Sequence, residues 1–235
     1  MHHLTRRTVA TPARLAVAAL SLFTATACGS SEEPQAEHPD DYVCDIASGS
    51  PEDKILRHVL RADTFTTLHG YRTPKFLEHM RTELREQPGH RTTYSVRQCS
   101  FFPDGRRGMG QANIDYMWSP LSDAKSNALV EGTRSYALNE ATGTSNDVST
   151  HLYVPCALPD TPGPAKGLLL HAEGSFTVNL GAVKDHGTQD QQMEFVYRMT
   201  RRAAEALGCQ NGPLKKTPLV TPLGATTNPP IGGTP

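Results

Sequence analysis

The sequence predicts an α+β domain: an antiparallel sheet of about five strands, with helices packed on one face and disulfides bracing it. Three observations predict it. Capped apolar stripes of helical period stand at both ends of the middle of the chain, a period-two alternation fills the stretch between them, and four widely spaced cysteines follow an export signal.

The first helix is predicted in "GSPEDKILRHVLRAD". Ser50 is a natural N-cap, Pro51 suits the first helical position, and Ile55, Leu56, Val59 and Leu60 form one stripe. "YRTPKFLEHMRTELREQPG" repeats the pattern. Thr73 caps, Pro74 follows, Phe76, Leu77, Met80 and Leu84 face inward, and Pro88-Gly89 stops the helix. The last is "TQDQQMEFVYRMTRRAAEALGC", with Thr188 and Gln191 as a capping box, Met193, Val196, Tyr197, Ala203, Ala204 and Leu207 at helical spacing, and Gly208 as terminator.

Between the second and last helices the period becomes two. In "QANIDYMW" Ala112, Ile114, Tyr116 and Trp118 share one side while Gln111, Asn113 and Asp115 share the other, which predicts a half-buried strand. "TTYSVRQCSFF" is the strand before it, joined through the Asp104-Gly105 hairpin signal. Further strands are predicted at 133–138, at 149–156 and at 167–178, where Leu168, Leu170, Ala172, Phe176 and Val178 share a face. Short polar turns between neighbours make the sheet antiparallel.

The ends of the chain read differently. The apolar run from Leu15 to Ala27 covers about 20 Å as a helix, short of the roughly 30 Å hydrocarbon core of a bilayer. Arg6, Arg7 and Arg14 precede or open it with no acidic residue, and Ala25, Thr26 and Ala27 end it: an export signal, residues 1–27. Cys28 at the position after cleavage resembles the lipobox of bacterial lipoproteins, with Ala25 in the place where Leu is commonest. The resemblance implies diacylglyceryl transfer to the Cys28 thiol and anchoring by acyl chains, each buried methylene contributing about 0.8 kcal/mol. The Arg6-Arg7 pair also fits part of a twin-arginine signal, which leaves the export route open. Residues 28–41 are polar and acidic and form a disordered tether, 42–212 form the single domain, and 213–235, with six prolines, form an extended tail.

Removing the signal leaves 20 basic against 24 acidic residues, so the mature chain is mildly acidic and carries no basic run. Nucleic acid is therefore not an expected partner. Cys44, Cys99, Cys156 and Cys209 permit three pairings. Cys44 with Cys99 and Cys156 with Cys209 are favoured, because each pair ties one helix-containing half of the domain to a neighbouring strand. Their spacing, without C-x-x-C or paired histidines, makes a zinc site an unfavoured use.

No catalytic signature stands out. His171-Ala172-Glu173 matches the histidine-alanine-glutamate element of zinc deaminases, but no P-C-x-x-C follows, and the two residues are expected on a solvated strand face. Ser122 and Lys125 have the S-x-x-K spacing of penicillin-recognising enzymes without the K-T-G that should accompany it, so a polar connection is expected. His58 and His79 sit beside helical stripes as packing residues, and Asp115 is expected to face solvent. "FFPDGRRGMG", with Phe101, Phe102, Arg106 and Arg107, is expected to be an exposed hairpin tip. No cofactor, metal or catalytic residue is assigned.

The signal ending in Cys28, the "VCDIASGSPED" start, the "YVPCALP" strand and the closing "AAEALGCQNGP" resemble the uncharacterised exported lipoproteins of streptomycetes and related actinobacteria, over roughly residues 1 to 213. The resemblance implies a cell-surface lipoprotein and transfers no catalytic residue. The expectation is an accessory binding module held by lipid on the extracytoplasmic face of the membrane, with an envelope protein or a small ligand as partner. The alternative is an extracytoplasmic hydrolase whose site is assembled from residues far apart in sequence.

Overall fold

The computed structural model describes residues 42–223, apart from 87–90, 106–109, 128–131, 160–166, 179–185, 215–216 and 219. The expected export signal, Cys28, the expected tether and the end of the expected tail lie outside the described residues.

Helix α1, Pro51–Leu60, starts as its sequence dictates. Ser50 Oγ accepts the Asp53 N–H at 3.1 Å, and Arg57 reaches back to the Asp53 carboxylate at 2.8 Å. Burial alone would raise the Asp53 pKa, but the Gly49 N–H and Arg57 outweigh it and hold the carboxyl below its usual value. Helix α2, Thr73–Glu86, buries Phe76, Met80 and Leu84. Thr73 does not cap it: its Oγ1 is buried without a partner, and the Arg72 carbonyl accepts the Phe76 N–H instead. A short helix, α3, spans Leu121–Asn127, and α4 spans His186–Leu207. Because α4 already begins at His186, Thr188 lies inside it rather than at its cap. Its end is as expected, with Gly208 at a φ of 80° and the Gly208 and Cys209 N–H groups both bonded to the Ala204 carbonyl.

The strands number eight, not about five: β1 Phe65–His69, β2 Val96–Pro103, β3 Gly110–Pro120, β4 Arg134–Leu138, β5 Ala141–Ser145, β6 Ser149–Val154, β7 Leu168–Val178 and β8 Thr221–Pro222. They form one antiparallel sheet in the order β1-β2-β3-β7-β6-β5-β4-β8. The additional strands are β1, β5 and β8. Each lacks the alternation of large apolar residues that reveals a strand: "FTTLH" and "ATGTS" are short and rich in threonine, and β8 is two residues at the sheet edge. Proline is tolerated at that edge because no ladder N–H is needed there. The domain therefore runs past residue 212, since Leu214 is buried in the core and Leu223 N–H bonds the Ser135 carbonyl at 2.8 Å.

One face of the sheet carries the main core. Ile114, Tyr116 and Trp118 of β3, with Leu170, Ala172 and Phe176 of β7, meet α1, α2 and α4. Trp118 donates its indole N–H to the Met80 carbonyl of α2 at 2.8 Å, so the largest side chain in the core also satisfies its polar atom. Phe101 lies in the same core, edge-on to Phe65 and Phe195 at centroid distances of 5.9 and 5.6 Å. It is not part of an exposed tip; Phe102 is half-buried, and Arg106 and Arg107 fall outside the described residues.

The cysteines pair as Cys44–Cys99 and Cys156–Cys209, with Cα separations of 5.6 and 4.9 Å. The first bridge ties the segment before α1 to β2. The second ties the chain after β6 to the end of α4, where Gln210 N–H also bonds the Ala157 carbonyl at 2.8 Å. No helix among the described residues is long and apolar enough to cross a membrane.

Candidate functional site

Two arrangements bring together side chains capable of recognition or chemistry: an open groove beside α2, and a buried polar array on the second face of the sheet.

The groove, about 500 Å³, lies between α2 and the start of β2. Its wall begins at Gly70, where a Cβ would sit 2.1 Å from the Arg97 carbonyl oxygen, so only glycine lets the chain pass this close to β2. Gln98, at an irregularity in the β2–β3 register, donates to the Tyr71 carbonyl at 2.7 Å and fixes the next residue of the wall. The Tyr71 ring then stacks on His79 of α2, 6.0 Å between centroids. One turn further along α2 is Glu83. Its Oε1 stands 3.9 Å from His79 Nε2, while its Oε2 is buried with no hydrogen-bond partner.

The opposite lip is the segment before β2. Thr93 N–H bonds the Trp118 carbonyl at 2.9 Å, and Thr93 Oγ1 accepts the Trp118 N–H at 3.0 Å, which pins the segment and leaves Tyr94 76% exposed. Arg97 is held against Asp115, with N–O distances of 3.2 and 3.4 Å. Asp115 is thus buried and ion-paired rather than solvent-facing as its sequence position suggested. The groove presents two aromatic rings, a carboxylate and an imidazole. No hydroxyl lining it bonds to His79 or Glu83, so it contains no activated nucleophile among the described contacts.

The second array follows from strand register. Met117 of β3, His171 of β7 and Tyr153 of β6 are directly opposite one another, and so are Glu173 of β7, His151 of β6 and Thr144 of β5. Ser119 Oγ lies 2.9 Å from His171 Nδ1, and His171 Nε2 lies 3.2 Å from His151 Nδ1. Tyr153 stacks on the His171 ring at 4.2 Å. The alternation places His171 and Glu173 on the outward face as expected, but that face is not solvated at its centre. Asn113, Met117, Ser119, Tyr153 and His171 are all buried on it. Burial first, and the neighbouring His151 second, push the His171 pKa down to about 3. Burial lowers His151 as well, against the opposing pull of Glu173.

A serine bonded to a histidine invites comparison with a nucleophile and its base, and two facts separate them. Ser119 is 0% exposed, so no substrate carbonyl reaches its Oγ in this conformation. An imidazole whose conjugate acid titrates near 3 is too weak a base to take a serine proton near neutral pH.

The other residues singled out in the sequence are not assembled into a site. Ser122 and Lys125 are exposed on α3, and Ser122 Oγ donates to Asp123 at 3.3 Å rather than meeting the lysine. His58 is exposed on α1. His79 alone enters the groove. Ser119, His151, Tyr71, Tyr94 and Glu83 carry no motif. Only the pairing of β3, β7 and β6 and the packing of α2 on β2 bring them together. Among the described residues no group of three or more His, Cys, Asp or Glu side chains could hold a metal ion. The chain matches no family model, no curated protein and no solved structure, so the site is read from its own geometry.

Proposed function

We propose that the protein is an extracytoplasmic lipoprotein, anchored through Cys28 and acting by binding rather than by catalysis, with its ligand in the groove between α2 and β2. The observation that carries the binding reading is the groove itself. It is open, of a volume usual for small-molecule sites, and walled by Tyr71 and Tyr94 with Glu83 and His79 between them. Exposed tyrosines supply rigid contact area at small entropic cost, and the carboxylate supplies an acceptor for ligand N–H or O–H groups. The anchoring reading rests on the basic residues, short apolar run and small residues that precede Cys28. Two formed disulfides accord with it, because such bonds persist outside the cytoplasm.

The competing reading is a hydrolase, and the Ser119–His171 contact is the observation that favours it. One experiment separates the two. The full chain, purified in detergent, is incubated with a small-molecule extract of cell envelopes, and retained compounds are identified by mass spectrometry. Binding in the groove predicts a retained compound whose yield drops about 10-fold or more in Tyr94→Ala and in Glu83→Gln, and stays unchanged in Ser119→Ala. Retention of nothing, together with ester hydrolysis abolished by Ser119→Ala, would give the chemistry to the second face of the sheet.

A further inference from the structure

Resting on the reading that the groove between α2 and β2 is the binding site, we infer that its ligand is a small organic cation, held by a primary ammonium group at Glu83 and His79 beside the tyrosine rings. The charges around the groove decide the sign. Arg97 lines it, but its guanidinium is already held against the buried Asp115 at 3.2 and 3.4 Å, so that pair presents no net charge to a ligand. Glu83 differs. Among the described residues no Lys or Arg forms an ion pair with it, and its side chain is only 14% exposed. A carboxylate this far withdrawn from water, with Oε2 buried and unbonded, is poorly solvated, and a cation brought against it offsets that cost. An anion would be repelled, and a neutral ligand would leave the charge unmet.

Geometry decides the group. Glu83 Oε1 and His79 Nε2 are 3.9 Å apart, too far to share a hydrogen bond and far enough for one donor nitrogen to lie about 2.8 Å from both. With its proton on Nδ1, the imidazole accepts as the carboxylate does. A primary ammonium has three N–H groups and meets both acceptors at once, which an alcohol with one O–H, or a quaternary ammonium with none, does not. Tyr71, stacked on His79 at 6.0 Å, and the exposed Tyr94 line the same groove, and their ring faces suit both a cation and the apolar body that carries it.

Benzylamine, cationic near neutral pH, is the probe, with benzyl alcohol and benzoate as its neutral and anionic counterparts. Their affinities for the full chain in detergent are measured by saturation-transfer NMR titration against a detergent blank, in wild type, Glu83→Gln and Tyr94→Ala, with circular dichroism confirming that each variant is folded. The expected result is benzylamine bound about 10-fold or more tighter than either counterpart, a preference that Glu83→Gln removes while benzyl alcohol binds it as it binds wild type. Equal affinity for the three probes, a preference that survives in Glu83→Gln, or no binding of benzylamine below about 10 mM overturns the ammonium assignment. Where the three bind equally and Tyr94→Ala weakens them all, the groove stands as the site and the ligand class alone falls. Benzylamine binding that Tyr94→Ala and Glu83→Gln both leave unchanged overturns the groove reading with it.

Discussion

His171 is the residue where position in sequence and position in space differ most. A histidine two residues from a glutamate on an alternating strand has the pattern of a solvent face, and the strand does point it outward. Its burial depends on what lies over the sheet, which no local period records. The consequence is a pH dependence of stability. The folded state holds His171 neutral down to about pH 3, whereas in the unfolded chain it titrates near 6.5. The unfolded state therefore binds the extra proton first. Stability from this group is complete above about pH 6.5 and falls by up to about 1.4 kcal/mol per pH unit below it. His151 is shifted in the same direction. Urea denaturation at about pH 7.5 and pH 5 is predicted to show His171→Gln losing about 2 kcal/mol less than wild type across that interval. Equal losses would mean that the imidazole is already charged, or reached by water, in the folded protein.

At the scale of elements, α4 packs tightly over the sheet. Gly174 of β7 and Gly143 of β5 lie beneath it, where a Cβ would come within 2.4 Å of Val196 Cγ2 and 2.6 Å of Met193 Cε. The two glycines let the helix approach, and the buried Met193, Phe195, Val196 and Met199 fill what remains. Gly174→Ala is predicted to destabilise the fold by about 1–3 kcal/mol through overpacking, read as a lowered midpoint in urea with unchanged slope. A neutral result would show that α4 shifts outward at little cost. Helices α1, α2 and α4 were legible for a local reason: stripes and breakers are written within each segment, and the Ser50 cap and Gly208 terminator sit where their chemistry requires. Thr73 and Thr188 miss because a capping residue is recognised by type, while the helix start is settled by the packing of the first turn. The strands divide in the same way. β3 and β7 declare themselves by long apolar alternation. β1, β5 and β8 owe their existence to neighbours that supply hydrogen bonds, and threonine-rich or proline-containing segments carry no sign of those neighbours. The groove was invisible for that reason too, since Tyr71 and Tyr94 are 23 residues apart and are brought together by α2 docking on the sheet.

Across the whole molecule, the bridges Cys44–Cys99 and Cys156–Cys209 close loops of 55 and 53 residues. Loops of that size contribute about 4 kcal/mol each in the chain-entropy description, comparable to the net stability of many domains. That dependence links fold to compartment. Disulfides persist in an oxidising space; by our proposal, the segment ahead of Cys28 is the signal that takes the domain there, and Cys28 carries the tether that keeps it there. The two disulfide pairs were legible because an even count of widely spaced cysteines in a chain read as exported has few physical uses, whereas the ligand was not, because a groove has no sequence signature. The measurement that tests this account most directly is the intact mass of the protein recovered from the membrane fraction, before and after reduction. The account predicts loss of residues 1–27, a diacylglyceryl increment on Cys28, and a gain of four protons on reduction. A soluble chain that keeps its first 27 residues and shows four reactive thiols would contradict it.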